Sequence, residues 1–531
     1  MKKRTDLVLV FAVVVGILSA LVSTRAQALE LDWSGQFRSE FNFVHNYSMD
    51  NSDAGSNNDL ATRNPAPGGN VPGGYYVPGG GQNDATWETL FLKIKPKLVV
   101  NDNVYIKSEW WLGDPTFGFF GNAAPYSIDQ HQYYSTQSRG SYITAQRFWA
   151  EFLTDFGTIQ VGRAPLDWGL GVVWNAGNHL WDHYESTGDS IRLISKFGAF
   201  SFIPSFTSIS TGNAVGGACF VVGSTGCNPT VGTGAVTNYS LILKYENPDE
   251  DFEGGVNFIK RIAGAAQDPN SGYLGPQGTP QGMNYNTFDI YGRKKLGKFT
   301  FAAEIPLTSG YVGSTPDPSN FLDYSTYAVA LEANYKSSDT FETNLKAGHA
   351  PGQPNLVNPY LDRYRAFFFN PNYHIAMIMF NYQLRNFSGA STLNNPALGQ
   401  QALVSPYDNP IVNANYVNIG EQIHTDKWTF NGALIYANAT NSAAAGQYFF
   451  NYWDKRIAGP VGSPKVAVKD QSSNLGVEFD LGATFQYDEN FQFGLDFGLY
   501  SPGAFYAFSN TGVDNATSLV FASTAKVGIA F

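Results

Sequence analysis

The sequence predicts an all-β protein, a transmembrane antiparallel up-and-down β-barrel of about eighteen strands. Three observations carry this. Segments of roughly ten residues alternate apolar and polar side chains, so each, as a strand, presents one greasy and one wet face. Tight turns alternate with long loops: eight of the first and nine of the second join eighteen strands, an even number that returns both chain ends to one rim. After the first 28 residues no segment approaches the ~18 consecutive apolar residues of a membrane helix, so any crossing is made by strands. Composition agrees, because 15% aromatic and 43% hydrophobic residues at a mean hydropathy of −0.20 suit strands that are half greasy and half wet.

Taken in order, Lys2, Lys3 and Arg4 precede an apolar run at 7–22, and Ala26-Gln27-Ala28 supplies the small-x-small pattern of a secretory cleavage site. Residues 1–28 therefore read as a signal peptide and 29–531 as the barrel, with an uncleaved anchor as the alternative. In the first strand Trp33, Gly35, Phe37, Phe41 and Phe43 alternate with Ser34, Gln36, Arg38, Glu40 and Asn42. The segment 48–84, dense in Asn, Gly and Pro, cannot hold a ladder and reads as a long loop. A strand near 86–100, a turn at Asn101-Asp102-Asn103 and a return strand near 104–113 follow. Further tight turns fall at 155–157, 198–199, 247–251, 296–298, 337–339, 425–427 and 488–490. The remaining large loops are placed at 114–141, 164–188, 211–236, 350–413 and 440–472. The apolar stretch 374–380 is assigned to loop structure folding over or into the barrel mouth; read as a strand it would make the count sixteen or twenty. The closing segment 518–531 puts Leu519, Phe521, Ala525, Val527, Ile529 and Phe531 on one face and Thr524, Lys526 and Gly528 on the other. By itself it could also be an edge strand of a soluble sandwich.

Acidic residues outnumber basic ones, 44 to 33, so nucleic acid is not an expected partner. The seven histidines show no zinc-helix spacing and no neighbouring signature nucleophile; His179 and His183, four apart, fall in a loop rich in Gly and Asn. The Gly-rich run 77–81 lacks the lysine and the strand-to-helix setting of a phosphate loop. No enzyme, metal or cofactor is expected. Cys219 and Cys227, eight apart in an exported chain, are candidates for a disulfide closing a small loop, worth about 2.5 kcal/mol of chain entropy, or for two free thiols.

The wet faces of the strands hold the informative chemistry. Early strands offer Arg38, Lys93, Lys95, Lys107, Glu109, Arg147, Glu151, Arg192 and Lys196, mostly cations. Later ones offer Glu304, Glu332, Glu342, Glu478, Asp480 and Asp496, with Lys336 and Lys346 as exceptions. Opposed walls would set a transverse field across a watery bore, whereas local pairing would leave it neutralised.

The run Arg147-Phe148-Trp149-Ala150-Glu151, followed by Phe156-Gly157-Thr158-Ile159-Gln160-Val161-Gly162-Arg163, resembles the strand, turn and strand before the third loop of general porins. Trp168-Gly169-Leu170-Gly171 and Gly188-Asp189-Ser190-Ile191-Arg192 are similar to porin-like and alginate-export-like outer-membrane families. The resemblance implies an outer-membrane location. It also implies that loop 164–188 folds inward, bringing Asp167, Asp182, Glu185 and Asp189 towards a basic wall of Arg38, Lys93, Lys95, Lys107, Arg147, Arg163 and Arg192; an ordinary surface loop is the alternative. The terminal Phe531 resembles the signal by which Gram-negative barrels are recognised for assembly. The expected function is a passive diffusion channel for small hydrophilic solutes or ions, with polysaccharide export or barrel-anchored surface adhesion as alternatives. Expected partners are outer-membrane lipid and lipopolysaccharide, the barrel-assembly machinery and, as a homotrimer, other copies of the chain.

Overall fold

The structure is a computed structural model that describes residues 30–46, 49, 84–113, 143–211, 235–265, 282–315, 320–359, 361–382, 384, 407, 409–451, 456–457, 466–508, 510, 514 and 516–531. The segment 1–28 expected to be a signal peptide and both cysteines, Cys219 and Cys227, lie outside these residues.

One sheet closes on itself. Its strands, in chain order and each antiparallel to the next, are β1 (Glu30–His45), β2 (Asp84–Asn101), β3 (Val104–Gly113), β4 (Ile143–Thr154), β5 (Gly157–Pro165) and β6 (Thr187–Phe197). They continue as β7 (Phe200–Thr211), β8 (Ala235–Asn247), β9 (Phe252–Ala263), β10 (Met283–Leu296) and β11 (Phe299–Ser314). Next comes β12, one stave interrupted at Ala328 and formed by Phe321–Tyr327 and Val329–Lys336, then β13 (Phe341–Ala350). The last are β14 (Ala414–His424), β15 (Trp428–Asn438), β16 (Asn474–Gln486), β17 (Phe491–Pro502) and β18 (Val520–Ala530). Because β18 pairs with β1, these eighteen staves form a barrel with no free edge, as the alternation of turns and loops predicts.

Local chemistry explains the short turns. Asn101 Oδ1 accepts the Asn103 N–H at 2.9 Å, and Asp488 Oδ1 accepts those of Asn490 and Phe491 at 2.9 Å each, so side chains supply the bonds a tight reversal lacks. The seam closes in the same economical way. Gly35 and Phe531 exchange backbone bonds of 2.8 and 3.0 Å, and the Phe531 ring lies where a Gly35 Cβ would be, 2.6 Å from it. Only glycine leaves room there for the terminal aromatic.

Side chains sort by strand parity. Phe41, Phe148, Ile191, Leu243, Phe479 and Leu495 point outward and are exposed. Trp33, Phe197, Phe200, Phe299, Trp428 and Tyr487 crowd the turn-side rim as an aromatic girdle of the kind that marks a membrane–water interface. The opposite parity carries buried polar and charged groups, including Arg38, Glu40, Lys93, Glu109, Arg147, Glu304 and Glu478. An empty bore would leave these in water. They are buried because two loops bring chain into the bore, one at 166–186 and the other through the described residues 361–382 of the segment between β13 and β14. The largest apolar cluster lies there, with Val172, Phe369, Ile375, Ile378, Phe380 and Tyr382 packed on Val44, Ile435, Ala437, Tyr500 and Ala522 at the loop-side ends of the staves.

Candidate functional site: the bore and its two inserted loops

Loop 166–186 meets the cationic wall through its backbone carbonyls. Arg38 donates to Leu180 O at 2.6 Å, Lys93 to Gly177 O at 2.9 Å and Arg147 to Ala176 O. Acids of the same wall answer the remaining charge. Glu109 lies 3.4 Å from Lys93 and 3.0 Å from Arg147, and Lys107 lies 2.8 Å from Glu151. Glu185 of the loop reaches Arg147 at 3.1 Å. Burial pushes the Glu185 carboxyl up to about 7 although Arg147 opposes the shift, and Glu109, competing for the same guanidinium, raises it further.

Two other predicted acids act inside the loop. Asp167 accepts the Ala176 N–H at 3.1 Å, and Asp182 accepts the His179 N–H at 2.8 Å while lying in the field of Arg38 and Lys93 on the wall, so both brace the loop. Arg192 ties β6 to β5 through Pro165 O at 3.1 Å. Arg163 and Asp189 must be corrected: they share the outward parity of Val161 and Ile191 and form a 2.7 Å ion pair on the outside of the barrel. Their proximity to the loop in sequence suggested a bore-lining role, but strand alternation turns both away from it.

Acidic staves hold the loops by the opposite pole of the backbone. Glu304 on β11 accepts the N–H groups of Leu170 at 2.5 Å and of Val172 and Val173 at 3.3 Å each. Gly169, at φ +61°, makes that convergence possible, and a Cβ on it would sit 2.5 Å from Glu304 Oε2. On β16, Glu478 accepts Ile378 and Met379 N–H at 2.6 Å each, and Asp480 accepts Met377 N–H at 2.9 Å. Loop 351–413 is further held by Asn418, which donates to Ile375 O at 2.5 Å.

The loops also grip one another. Asn370 N donates to Val172 O at 2.7 Å, and Asn372 bonds both the N–H and the carbonyl of Tyr184, at 2.9 and 2.5 Å. His183 joins three elements: its Nε2 is 2.9 Å from Glu40 on β1, its ring stacks on Tyr407 with centroids 3.6 Å apart, and Tyr407 accepts from Asn42 and Trp87. Burial lowers the His183 basicity, and it drives that of His374 down to about 3. Sequence reasoning placed Glu304, Glu478 and Asp480 on the inner wall but missed their partners, and it missed Glu40, His183 and Tyr407 as a junction altogether. Their only signal was a wet-face glutamate on β1 whose register-opposed cation, Lys526 on β18, is paired with Asp496 instead.

Fold and bore together define a membrane-spanning β-barrel narrowed by two lumen-inserted loops. No family model matches the sequence, and no curated protein matches it. Solved structures with similar architecture include outer-membrane proteins and porins. The outer membrane protein OpdK of Pseudomonas aeruginosa overlays at a TM-score of 0.47 with 6% identity, over 94% of this chain and 98% of that one. A BenF-like porin of Pseudomonas fluorescens Pf-5 gives 0.44 and 8%, over 94% and 98%. An anion-selective porin of Comamonas acidovorans gives 0.40 and 9%, over 95% and 100%.

Proposed function

We propose that the protein is a passive channel of the bacterial outer membrane for small hydrophilic solutes or ions. The observation that carries the reading is that inward-facing charges remain wet beside the inserted loops. The side chains of Lys95, Lys107 and Lys346 are each about one-third exposed, at 33, 32 and 35%, although all three point into the bore. Water therefore reaches these three inward-facing side chains, and fixed charge on a wet inner wall acts on passing ions within a Debye length of ~8 Å. Lipid and lipopolysaccharide would bathe the outer face, and the assembly machinery would engage the β18 end at Phe531.

Planar-bilayer recording of the purified protein tests this. Wild type should conduct, and Lys95→Gln with Lys107→Gln should move the reversal potential under a salt gradient towards cation preference. A folded barrel that passes no current would overturn the reading in favour of an anchor for surface loops.

A further inference from the structure

The inner wall behind loop 166–186 contains a charge that nothing on the wall answers. Asp289 on β10 is fully buried, and neither carboxylate oxygen has a hydrogen-bond partner. Its register partner on β9, Asn257, is also fully buried, and neither its amide oxygen nor its amide nitrogen is bonded. Diagonally across, Glu304 on β11 stands opposite Tyr291, two residues along the same face from Asp289. Above them, Leu166, Trp168 and Trp174 pack on Ile242, Ile259 and Tyr291, which excludes bulk water. Of the nearby donors, Tyr291 OH goes to Glu253 at 2.7 Å and Arg261 to Asn238 and Tyr285, while the buried Trp168 Nε1 and Asn257 Nδ2 have no hydrogen-bond partner. Among the described residues no lysine or arginine forms an ion pair with Asp289 or Glu304. Two adjacent carboxylates in an apolar enclosure are costly unless a positive species lies between them.

The other acidic pair in the bore shows what a satisfied version looks like. Glu478 and Asp480 receive three loop N–H groups on three of their four oxygens, whereas Asp289 receives none. Glu304 has three N–H bonds and one acceptor position left, Asp289 has all of its own, and Asn257 adds an amide oxygen.

We propose that Asp289, Asn257 and Glu304 form a binding site for one hard divalent cation, calcium in preference to magnesium, that locks loop 166–186 against β9, β10 and β11. The donors are all oxygen, and their formal charge of about −2 matches the ion. Cross-strand neighbours give an irregular cage, which calcium tolerates and magnesium, with its strict octahedron, does not. Because Glu304 also holds the N–H groups of 170–173, an ion that fixes Glu304 fixes the loop. The site stands whether or not the bore conducts.

The test uses the full mature chain refolded in detergent free of lipopolysaccharide, stripped with chelator and titrated with calcium and, separately, with terbium. Calcium should raise the unfolding midpoint of wild type, and terbium luminescence excited through the neighbouring tryptophans should saturate at one ion per chain. Trp168, whose ring centroid lies 6.0 Å from that of Tyr291, is the expected sensitiser. Asp289→Asn should weaken binding at least tenfold, and Asn257→Ala should weaken it less while leaving the charge unchanged. Heat-modifiable gel mobility verifies that each variant forms the barrel. Equal metal responses in wild type and Asp289→Asn would overturn the proposal. So would a wild type indifferent to metal whose stability rises on Asp289→Asn, because the pair would then hold a proton instead of an ion.

Discussion

Removing Glu478 should release loop 351–413 without unfolding the barrel. In Glu478→Ala the β16 backbone keeps its ladder to β15 and β17, since the register bonds at 478 involve no side chain. What disappears are the two 2.6 Å bonds from Ile378 and Met379. Hydrogen bonds to a charged acceptor contribute about 1.5–3 kcal/mol each, so the gross loss is about 3–6 kcal/mol. Asp480 retains the Met377 N–H at 2.9 Å, and relief of crowding between two buried acids returns part of the cost, which leaves about 2–4 kcal/mol. At about 1.4 kcal/mol per tenfold, the ratio of docked to released loop falls roughly 30- to 1000-fold. Single-channel recording reads this directly: mean conductance should rise and current noise should broaden, while the thermal midpoint of the barrel changes little. Glu478→Gln, which keeps one acceptor oxygen, should fall between the two. Wild-type conductance and noise in a correctly folded Glu478→Ala barrel would refute the reasoning.

Glu185 should make docking of loop 166–186 depend on pH. The docked carboxyl keeps its proton to about 7 and the released one to its usual 4.5, so docking is strongest below the lower value and weakens as pH rises through the higher. The loss is at most roughly 3 kcal/mol, felt by a group facing Arg147, Glu109 and Lys93. Glu185→Gln should flatten the pH dependence of channel noise between those limits, and an unchanged profile would count against the assignment. Phe531→Asp should sharply reduce assembled barrel in cells while changing the stability of protein refolded in vitro by only about 0–1 kcal/mol; normal assembly would remove the role given to the terminal aromatic. Epitope tags inserted at 101–103 and at 48–84 should label intact cells only in the second case, and the reverse pattern would invert the topology.

The barrel was legible because its evidence is local. Alternation across Phe37, Arg38, Phe41 and Asn42, or across Val527 and Gly528, needs no knowledge of any other strand, and turn residues such as Asn101 and Asp488 announce each reversal within three positions. The inner site was only half legible. Alternation puts Arg38, Lys93, Lys107 and Arg147 on the inner wall, and it puts Arg163 and Asp189 on the outer one; proximity to loop 164–188 was the wrong guide for those two. Partners more than a hundred residues away, such as Leu170 N for Glu304 or Leu180 O for Arg38, leave no local trace. Backbone donors and acceptors are identical in every sequence, so a loop's carbonyls and amides cannot be assigned to a wall before the fold is known.

That backbone contribution also changes what the two charged walls do. Cations on β1, β2 and β4 face carbonyl oxygens of loop 166–186, and acids on β11 and β16 face amide groups of the same loop and of loop 351–413. Each loop therefore turns the complementary pole of its peptides to the wall it touches, and the walls act chiefly as docking surfaces for chain. Charge that is answered at 2.5–3 Å by fixed dipoles has little field left for a solute. The wet cations Lys95, Lys107 and Lys346 are less enclosed, and the acids near them, Glu109, Glu151 and Glu332, lie at 4.0, 2.8 and 3.1 Å. Lys95 has the longest of these separations, and its acid is shared with Lys93 and Arg147. If the bore conducts as proposed, the Lys95 neighbourhood is where its selectivity would be set, because the more numerous buried charges are already answered by the loops.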